Sequence, residues 1–338
     1  MKTFASLNDE QRVERLHQLA RLALRAYDFP EAKLTPLSFV NNATFKVETA
    51  FPQANASAYV LRIHRPQYRT GAHIRSELQY MQALKKNTQI VLPEPVPTRE
   101  GELLTTVELE GIDEPRHCDL LTWVEGRVCR PHQGLGLKGT YQLGELLGRM
   151  HLFAHSFEPP AEFCLPRWDA DALFTEASPF KPGPLDTIFS PADRALFHEV
   201  ELRTREIFCI LEHEPQAFGI IHFDFILGNC LFHKREARVV DFGDCGWGYF
   251  LYDLCPLLGN LHDYPEYPAL RRAFVAGYSS VRPFPQEWEE AFDVLMAARH
   301  ASQCLWIAGC QGGDGKVPSV EEHVAYRLEE VRPLLKRT

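Results

Sequence analysis

No stretch of the sequence approaches the roughly twenty apolar residues that span a bilayer, and the N-terminal "MKTFASLNDEQRVERLHQLA" has no apolar signal core. Nor is there a basic excess. Lys and Arg number 36 against 45 Asp and Glu, a net charge of −9, which argues against a nucleic-acid backbone as the main partner. That balance suits a cationic or amine-bearing small molecule, or simply a solvated surface. The nine cysteines are odd in number and never spaced C-x-x-C, so neither a zinc site nor a disulfide framework is indicated. Internal repeats and low-complexity linkers are absent too. Together these absences predict a cytoplasmic protein with no membrane partner. What is present is an ordinary globular composition, 45% hydrophobic and 24% charged, in a chain of 338 residues that suits two lobes better than one core.

Periodicity divides the chain. Val13, Leu16, Ala20, Ala23, Leu24 and Tyr27 recur at helical spacing behind Asn8, a candidate N-cap. Short strand-like runs follow, "LSFVNNATFKVETA" and "AYVLRIHRP", then a helix in "IRSELQYMQALKK" and further strands in "VPTREGELLTTVEL" and "CDLLTWVEG". From about residue 126 the pattern is mainly helical, as in Leu143, Leu146, Leu147 and Met150. A β-rich first part and a helical second part predict two lobes with a cleft between them. "GGDGK", 312–316, lacks the P-loop spacing and reads as a loop.

The densest chemistry lies in "IIHFDFILGNCLFHKREARVVDFGD", 220–244. Here H-x-D-x-x-x-x-N is followed, across an expected hairpin, by D-F-G. Phosphoryl transfer needs a carboxylate near the attacking hydroxyl and hard oxygen ligands for Mg²⁺ on the nucleotide phosphates. A loop can present Asp224 to the hydroxyl, while Asn229 at its end and Asp241 on a neighbouring strand reach the metal. A rival reading makes His222, Asp224, His233, Asp241 and Asp244 the ligands of a hydrolytic metal centre. It leaves Asn229 and the glycine of D-F-G unexplained.

With "YVLRIHRP", "RSELQYMQAL", "LLTWVEGR", "LGELLGRMH", "HFDFILGN", "DFGDCGWGYFLYDL" and "FVAGYSSVRP", the chain resembles the aminoglycoside phosphotransferase and choline kinase-like group of small-molecule kinases. Within that group it looks nearer the homoserine-kinase-like and stress-response serine/threonine-kinase-like branches. The resemblance implies an α+β, protein-kinase-like two-lobed fold. Residues 1–121 would form a nucleotide-binding lobe, an N-terminal helix with an antiparallel sheet and one further helix. Residues 122–338 would form a helical lobe with the catalytic loop, the D-F-G segment and the acceptor site. Asp224 would be the catalytic residue, Asn229 and Asp241 the magnesium ligands, His222 a brace for the loop, and Asp244 a supporting acid. Arg62 falls at the position of the kinase strand lysine, with Glu77 as its ion-pair partner. Val47 and Val60 would line the adenine pocket, Trp123 would belong to the hinge, and Asn42 to a phosphate-covering turn. Asp253 would brace the catalytic loop from within.

Two departures qualify this picture. An arginine replaces the lysine, keeping the charge but presenting a planar fork. "VNNATFKV", 40–47, stands in the Gly-rich loop position without a glycine. The expected partners are ATP, Mg²⁺ and a hydroxyl-bearing acceptor, in a monomer or homodimer. Trp168, Asp169, Arg299, His300, Gln303 and Trp306 are candidates to read the acceptor. The alternatives are a protein serine/threonine kinase of the stress-response type and a nucleotide-binding pseudokinase.

Overall fold

The computed structural model describes residues 4, 7–27, 29, 31–50, 56, 58–112, 114–284, 288–311 and 319–336. "GGDGK" therefore lies outside the described residues. The chain divides into two compact units: Met1–Gln82 with Pro93–Val124 and Cys310–Val317, and Ala83–Leu92 with Glu125–Gly309 and Pro318–Thr338.

In the first unit, α1 (Asp9–Leu24) starts at Asn8, whose side chain accepts the Gln11 N–H while the Gln11 side chain bonds back to the Asn8 N–H. This reciprocal cap satisfies two of the donors that a helix start leaves open. There follow β1 (Lys33–Ser38), β2 (Ala43–Glu48), β3 (Tyr59–Ile63), α2 (Gly71–Asn87, of which the part up to Gln82 belongs to this unit), β4 (Pro95–Val96), β5 (Thr105–Val107) and β6 (Arg116–Thr122). The strands form an antiparallel sheet in the order β1-β2-β3-β6-β4, with β5 also on β6. The chain turns at Gly101, whose φ is +86°, yet the strands on either side do not pair with each other. β4 takes Leu120 and Leu121 of β6, and β5 takes Arg116 to Cys118.

Side chains alternate across the pleat. One face carries Phe45, Val47, Tyr59, Leu61, Cys118 and Leu120, all fully buried in one core with Leu16, Leu19, Ala20, Ala23 and Leu24 of α1. Each such side chain contributes roughly 1.5–3 kcal/mol on burial. The register pairs Lys46 with Val60, Val60 with Leu121, and Arg62 with Asp119, so the opposite face carries Lys46, Val60, Arg62 and Asp119.

The second unit contains β7 (Arg127–Val128), α3 (Leu137–Ser156), β8 (Arg167–Trp168), α4 (Ala170–Phe174), α5 (Leu185–Ile188), α6 (Pro191–Leu211) and β9 (Phe218–Ile221). It continues with β10 (Cys230–His233), β11 (Glu236–Val239), β12 (Gly246–Tyr249), α7 (Phe250–Leu261), α8 (Tyr267–Ser279), α9 (Trp288–Cys310) and α10 (Val320–Leu335). Two small sheets, β11-β10-β7 and β8-β12-β9, interrupt the helices. Helix α7 is buried from Phe250 to Leu258, Asp253 included, so the core surrounds it on every side instead of touching one stripe. α3 and α8 pack backbone to backbone. A Cβ at Gly144 would meet the Phe274 carbonyl, and one at Gly277 the Tyr141 carbonyl, so only glycine permits this approach. Among the described residues no helix is long and apolar enough to cross a membrane.

Candidate active site

The first unit builds a buried charge cluster on the face of the sheet away from α1. Arg62 Nη1 donates to Glu77 Oε1 at 2.6 Å, and its Nε donates to both Asp119 oxygens at 2.9 and 3.2 Å. Asp119 in turn accepts from His64 Nε2. The Arg62–Glu77 ion pair thus forms between strand and helix, but the guanidinium carries a second carboxylate that the sequence did not reveal. Burial opposes the Arg62 charge, and Asp119 and Glu77 outweigh it, holding the group above its ordinary value. Burial likewise raises Asp119, but Arg62 and His64 more than offset this and hold the carboxyl low. One terminal nitrogen of Arg62, Nη2, is buried with no hydrogen-bond partner. A buried cation with an unmet donor suits an anionic group such as a phosphate.

Around this cluster the other expected residues separate. Val60 shares the face of Arg62. Val47 does not, and its expected place in an adenine pocket is corrected: it pairs with Tyr59, points to the opposite face and is fully buried under α1. The pleat makes these two positions exclusive. Lys46, unremarked in the sequence, takes that side instead, bonding Glu48 at 3.2 Å and lying 5.0 Å over the Trp123 ring. Trp123 follows β6 directly, and its N–H donates to Ala58 O at 2.9 Å. In the glycine-free turn between β1 and β2, Asn42 Oδ1 accepts the Arg65 N–H at 3.1 Å, tying the turn to the end of β3.

In the second unit the loop after β9 holds Asp224. Its Oδ2 and its carbonyl accept from Asn229 Nδ2 at 3.0 and 2.9 Å, and its Oδ1 pairs with Arg299 of α9. Arg299 also donates to the Phe223 carbonyl at 3.3 Å and lies 5.2 Å over the Phe223 ring. Burial opposes the Arg299 charge, and the Asp224 carboxylate prevails, raising its pKa. Among the six acceptor candidates, Arg299 alone bonds Asp224. Trp168 is core: its ring stacks on Phe223 at 3.7 Å and its Nε1 donates to the Asp244 carbonyl at 2.8 Å. Asp169 caps α4 through the Ala172 N–H.

The loop is braced from behind. Asp253, fully buried on α7, accepts the N–H groups of His222 and Phe223 at 2.8 and 2.7 Å, and His151 Nε2 at 3.0 Å. His151 Nδ1 bonds the Tyr278 hydroxyl at 3.0 Å, and that hydroxyl accepts from Arg282 at 3.1 Å. Burial lowers the His151 pKa and pushes Tyr278 up to about 12. Phe223 sits at φ +67°, a left-handed conformation costing a non-glycine residue about 1–2 kcal/mol, and the two bonds to Asp253 hold it there. His222 Nε2 bonds the Val240 carbonyl at 3.1 Å, coupling the loop to the residue before Asp241.

The hairpin of β10 and β11 closes the arrangement. Its turn uses Lys234 and Arg235, both at positive φ, and its register pairs Cys230 with Val239. Val240 N–H then bonds the Asn229 carbonyl at 2.9 Å. Asn229 and Asp241 consequently stand at the same end of one hairpin, Asp241 exposed and at φ +64°. Asp224 is hydrogen-bonded to Asn229, and Asp241 follows the residue that bonds the Asn229 carbonyl; their side-chain oxygens are of the hard type that divalent cations take. The rival hydrolytic centre is not assembled. Among the described residues, His262, Asp263 and Glu330 are the only three His, Cys, Asp or Glu side chains whose ligand atoms lie within 4.8 Å of one another.

Comparison with known proteins agrees with the resemblance. The family model described as "Phosphotransferase enzyme family" matches residues 33–291. Homoserine kinase of Neisseria meningitidis serogroup B is 31% identical over 163 residues, covering 47% of this chain and 49% of that protein. Amicoumacin kinase of Bacillus subtilis is 23% identical over 258 residues, covering 72% of this chain and 71% of that one. The chain spans 64% of an uncharacterized Synechocystis protein to which it is 26% identical. A solved microcompartment-associated aminopropanol kinase superposes with a TM-score of 0.77 at 25% identity, covering 95% of this chain and 97% of its own. These relatives and the observed units agree on the protein-kinase-like fold, a β-sheet N-terminal region followed by a helical part.

Proposed function

This chain belongs to the phosphotransferase enzyme family, and we propose that it is a kinase moving the γ-phosphoryl group of Mg-ATP to a hydroxyl of a small molecule. The observation that carries this reading is Asp224, clamped on one oxygen by Arg299 and on the other by Asn229. Both neighbours keep its carboxylate aimed in one direction, where it orients the acceptor hydroxyl and takes its proton. Asn229 contributes the side-chain oxygen left over once its amide nitrogen has bonded Asp224, and Asp241 contributes a carboxylate, as ligands of the magnesium ion. That ion, when bound, neutralises charge on the phosphates. Arg62 meets the phosphates through Nη2, the nitrogen left over while Asp119 and Glu77 hold Nε and Nη1, and Lys46 adds a second cation on the same sheet face. Val60 and Trp123 offer apolar surface for the adenine. His222 holds the loop against the D-F-G segment, and Asp244 supports it.

The test is ADP release by purified protein with Mg-ATP and a panel of small hydroxyl acceptors. Asp224→Asn should lower kcat by about 10²–10⁴-fold with ATP affinity unchanged. Turnover within about threefold of the wild type, a barrier change under ~1 kcal/mol, would remove Asp224 from the chemistry.

A further inference from the structure

Helices α9 and α10 of the second unit bring together a second cationic group that the phosphoryl chemistry does not use. Arg327 donates through Nε to His323 Nε2 at 3.3 Å and through Nη2 to Gln303 Oε1 at 3.1 Å, while its Nη1 lies 3.5 Å from His300 Nδ1. All three partners are neutral. Arg299, by contrast, spends its charge on Asp224. No carboxylate among the described residues forms an ion pair with Arg327; Glu330, one turn along α10, acts on it through space and more weakly than the repelling Arg299.

The hydrogen bonds assign the remaining protons. An arginine has five N–H groups and no acceptor, so three bonds leave one N–H on each terminal nitrogen. His323 must accept at Nε2 and His300 at Nδ1, which leaves the proton of each ring on its other nitrogen. Burial and then Arg327 depress both rings, His300 to about 3 and His323 to about 4, so neither adds an acceptor or a charge near neutral pH. The group therefore presents N–H donors around one uncompensated positive charge. Such a set fits a planar oxyanion held by two parallel bonds.

Its position is also defined. Gln303 lies four residues after Arg299 on α9, on the same helix face, and His300 follows Arg299 directly. Arg327 therefore bonds a side chain one helical turn from Arg299, the residue that bonds Asp224, and is close enough to feel the Arg299 charge. Resting on the kinase reading, we propose that Arg327, framed by His300, His323 and Gln303, is an acceptor subsite for a carboxylate, and that the acceptor is a hydroxy acid or hydroxy amino acid. Asp224 receives the hydroxyl at one end while Arg327 holds the carboxylate at the other.

The test uses acceptor pairs differing only in the carboxylate: homoserine with 3-amino-1-propanol, threonine with 1-amino-2-propanol, and serine with ethanolamine. Each is titrated calorimetrically into the full chain with a non-hydrolysable ATP analogue, and ADP release is followed in parallel with ATP. At least one acid should bind ten or more times tighter than its amine partner. Arg327→Gln should cut that advantage below about threefold, and Arg327→Lys, which keeps the charge without the fork, should fall between, both with nucleotide affinity unchanged. The proposal is overturned if no acid binds better than its partner, or if Arg327→Gln weakens both members of a pair equally. Tighter binding of glycerol 3-phosphate than of glycerol, without any acid doing so, would make this a phosphate site and overturn it as well. Acids that bind through Arg327 without any ADP release would leave the subsite standing and remove the kinase reading. ADP release from the amines alone would do the reverse.

Discussion

Replacing Asp253 by asparagine probes the brace beneath the loop that carries Asp224. The carboxylate is fully buried and accepts three N–H groups, two on Oδ2 from His222 and His151, and one on Oδ1 from Phe223. Asparagine does best with its oxygen in the Oδ2 position, which keeps two bonds in weakened, neutral form. Its NH₂ group then faces the Phe223 N–H, donor against donor. One orphaned buried donor costs about 1–3 kcal/mol, and reducing two charge-assisted bonds to neutral ones costs about 1 kcal/mol each. The expected loss for Asp253→Asn is about 3–5 kcal/mol, a large part of the roughly 5–15 kcal/mol that keeps a protein folded. At roughly 2 °C per kcal/mol for a chain of this size, the thermal midpoint should fall by about 6–10 °C. Phe223, released from its left-handed conformation, should misplace Asp224, so kcat should drop while ATP affinity holds. Thermal unfolding and ADP release on the same preparation read both effects. A midpoint within about 2 °C of the wild type, with unchanged kcat, would show that Asp253 does not brace the loop.

Arg62→Lys should weaken ATP binding about tenfold or more while sparing adenosine, because a point charge cannot hold Glu77 and Asp119 together and still face a phosphate; equal losses in calorimetric titrations of ATP and adenosine would instead mean a packing role. His300 should make the fold acid-sensitive. Its folded pKa of about 3, set by burial and then by Arg327, lies below the unfolded value of about 6.5. The unfolded chain takes up this proton first as pH falls, so stability is full above pH about 6.5 and declines toward pH 3, by up to about 1.4 kcal/mol per pH unit. Urea midpoints between pH 7 and 5 should therefore shift less in His300→Asn than in the wild type, and parallel shifts would refute the assignment.

The chain itself determined whatever chemistry is written within a short span. Asp224, Asn229 and Asp241 are separated by one loop and one tight hairpin, so their spacing alone implied their grouping. Strand before helix implied the Arg62–Glu77 pair, and the apolar stripe behind Asn8 implied α1. Tertiary structure decided which distant residue completes each local set. Asp119 reaches Arg62 and His64 only because β3 pairs with β6 in one register, and that alternation sends Val47 into the core while Lys46 joins Arg62. Arg299 reaches Asp224 across 75 positions, and Arg327 reaches Gln303 only because α10 lies against α9. The reason is physical: motif spacing is read along a backbone whose local geometry is set by a few dihedrals, whereas the partner of a buried charge is chosen by packing and register, which depend on the whole fold.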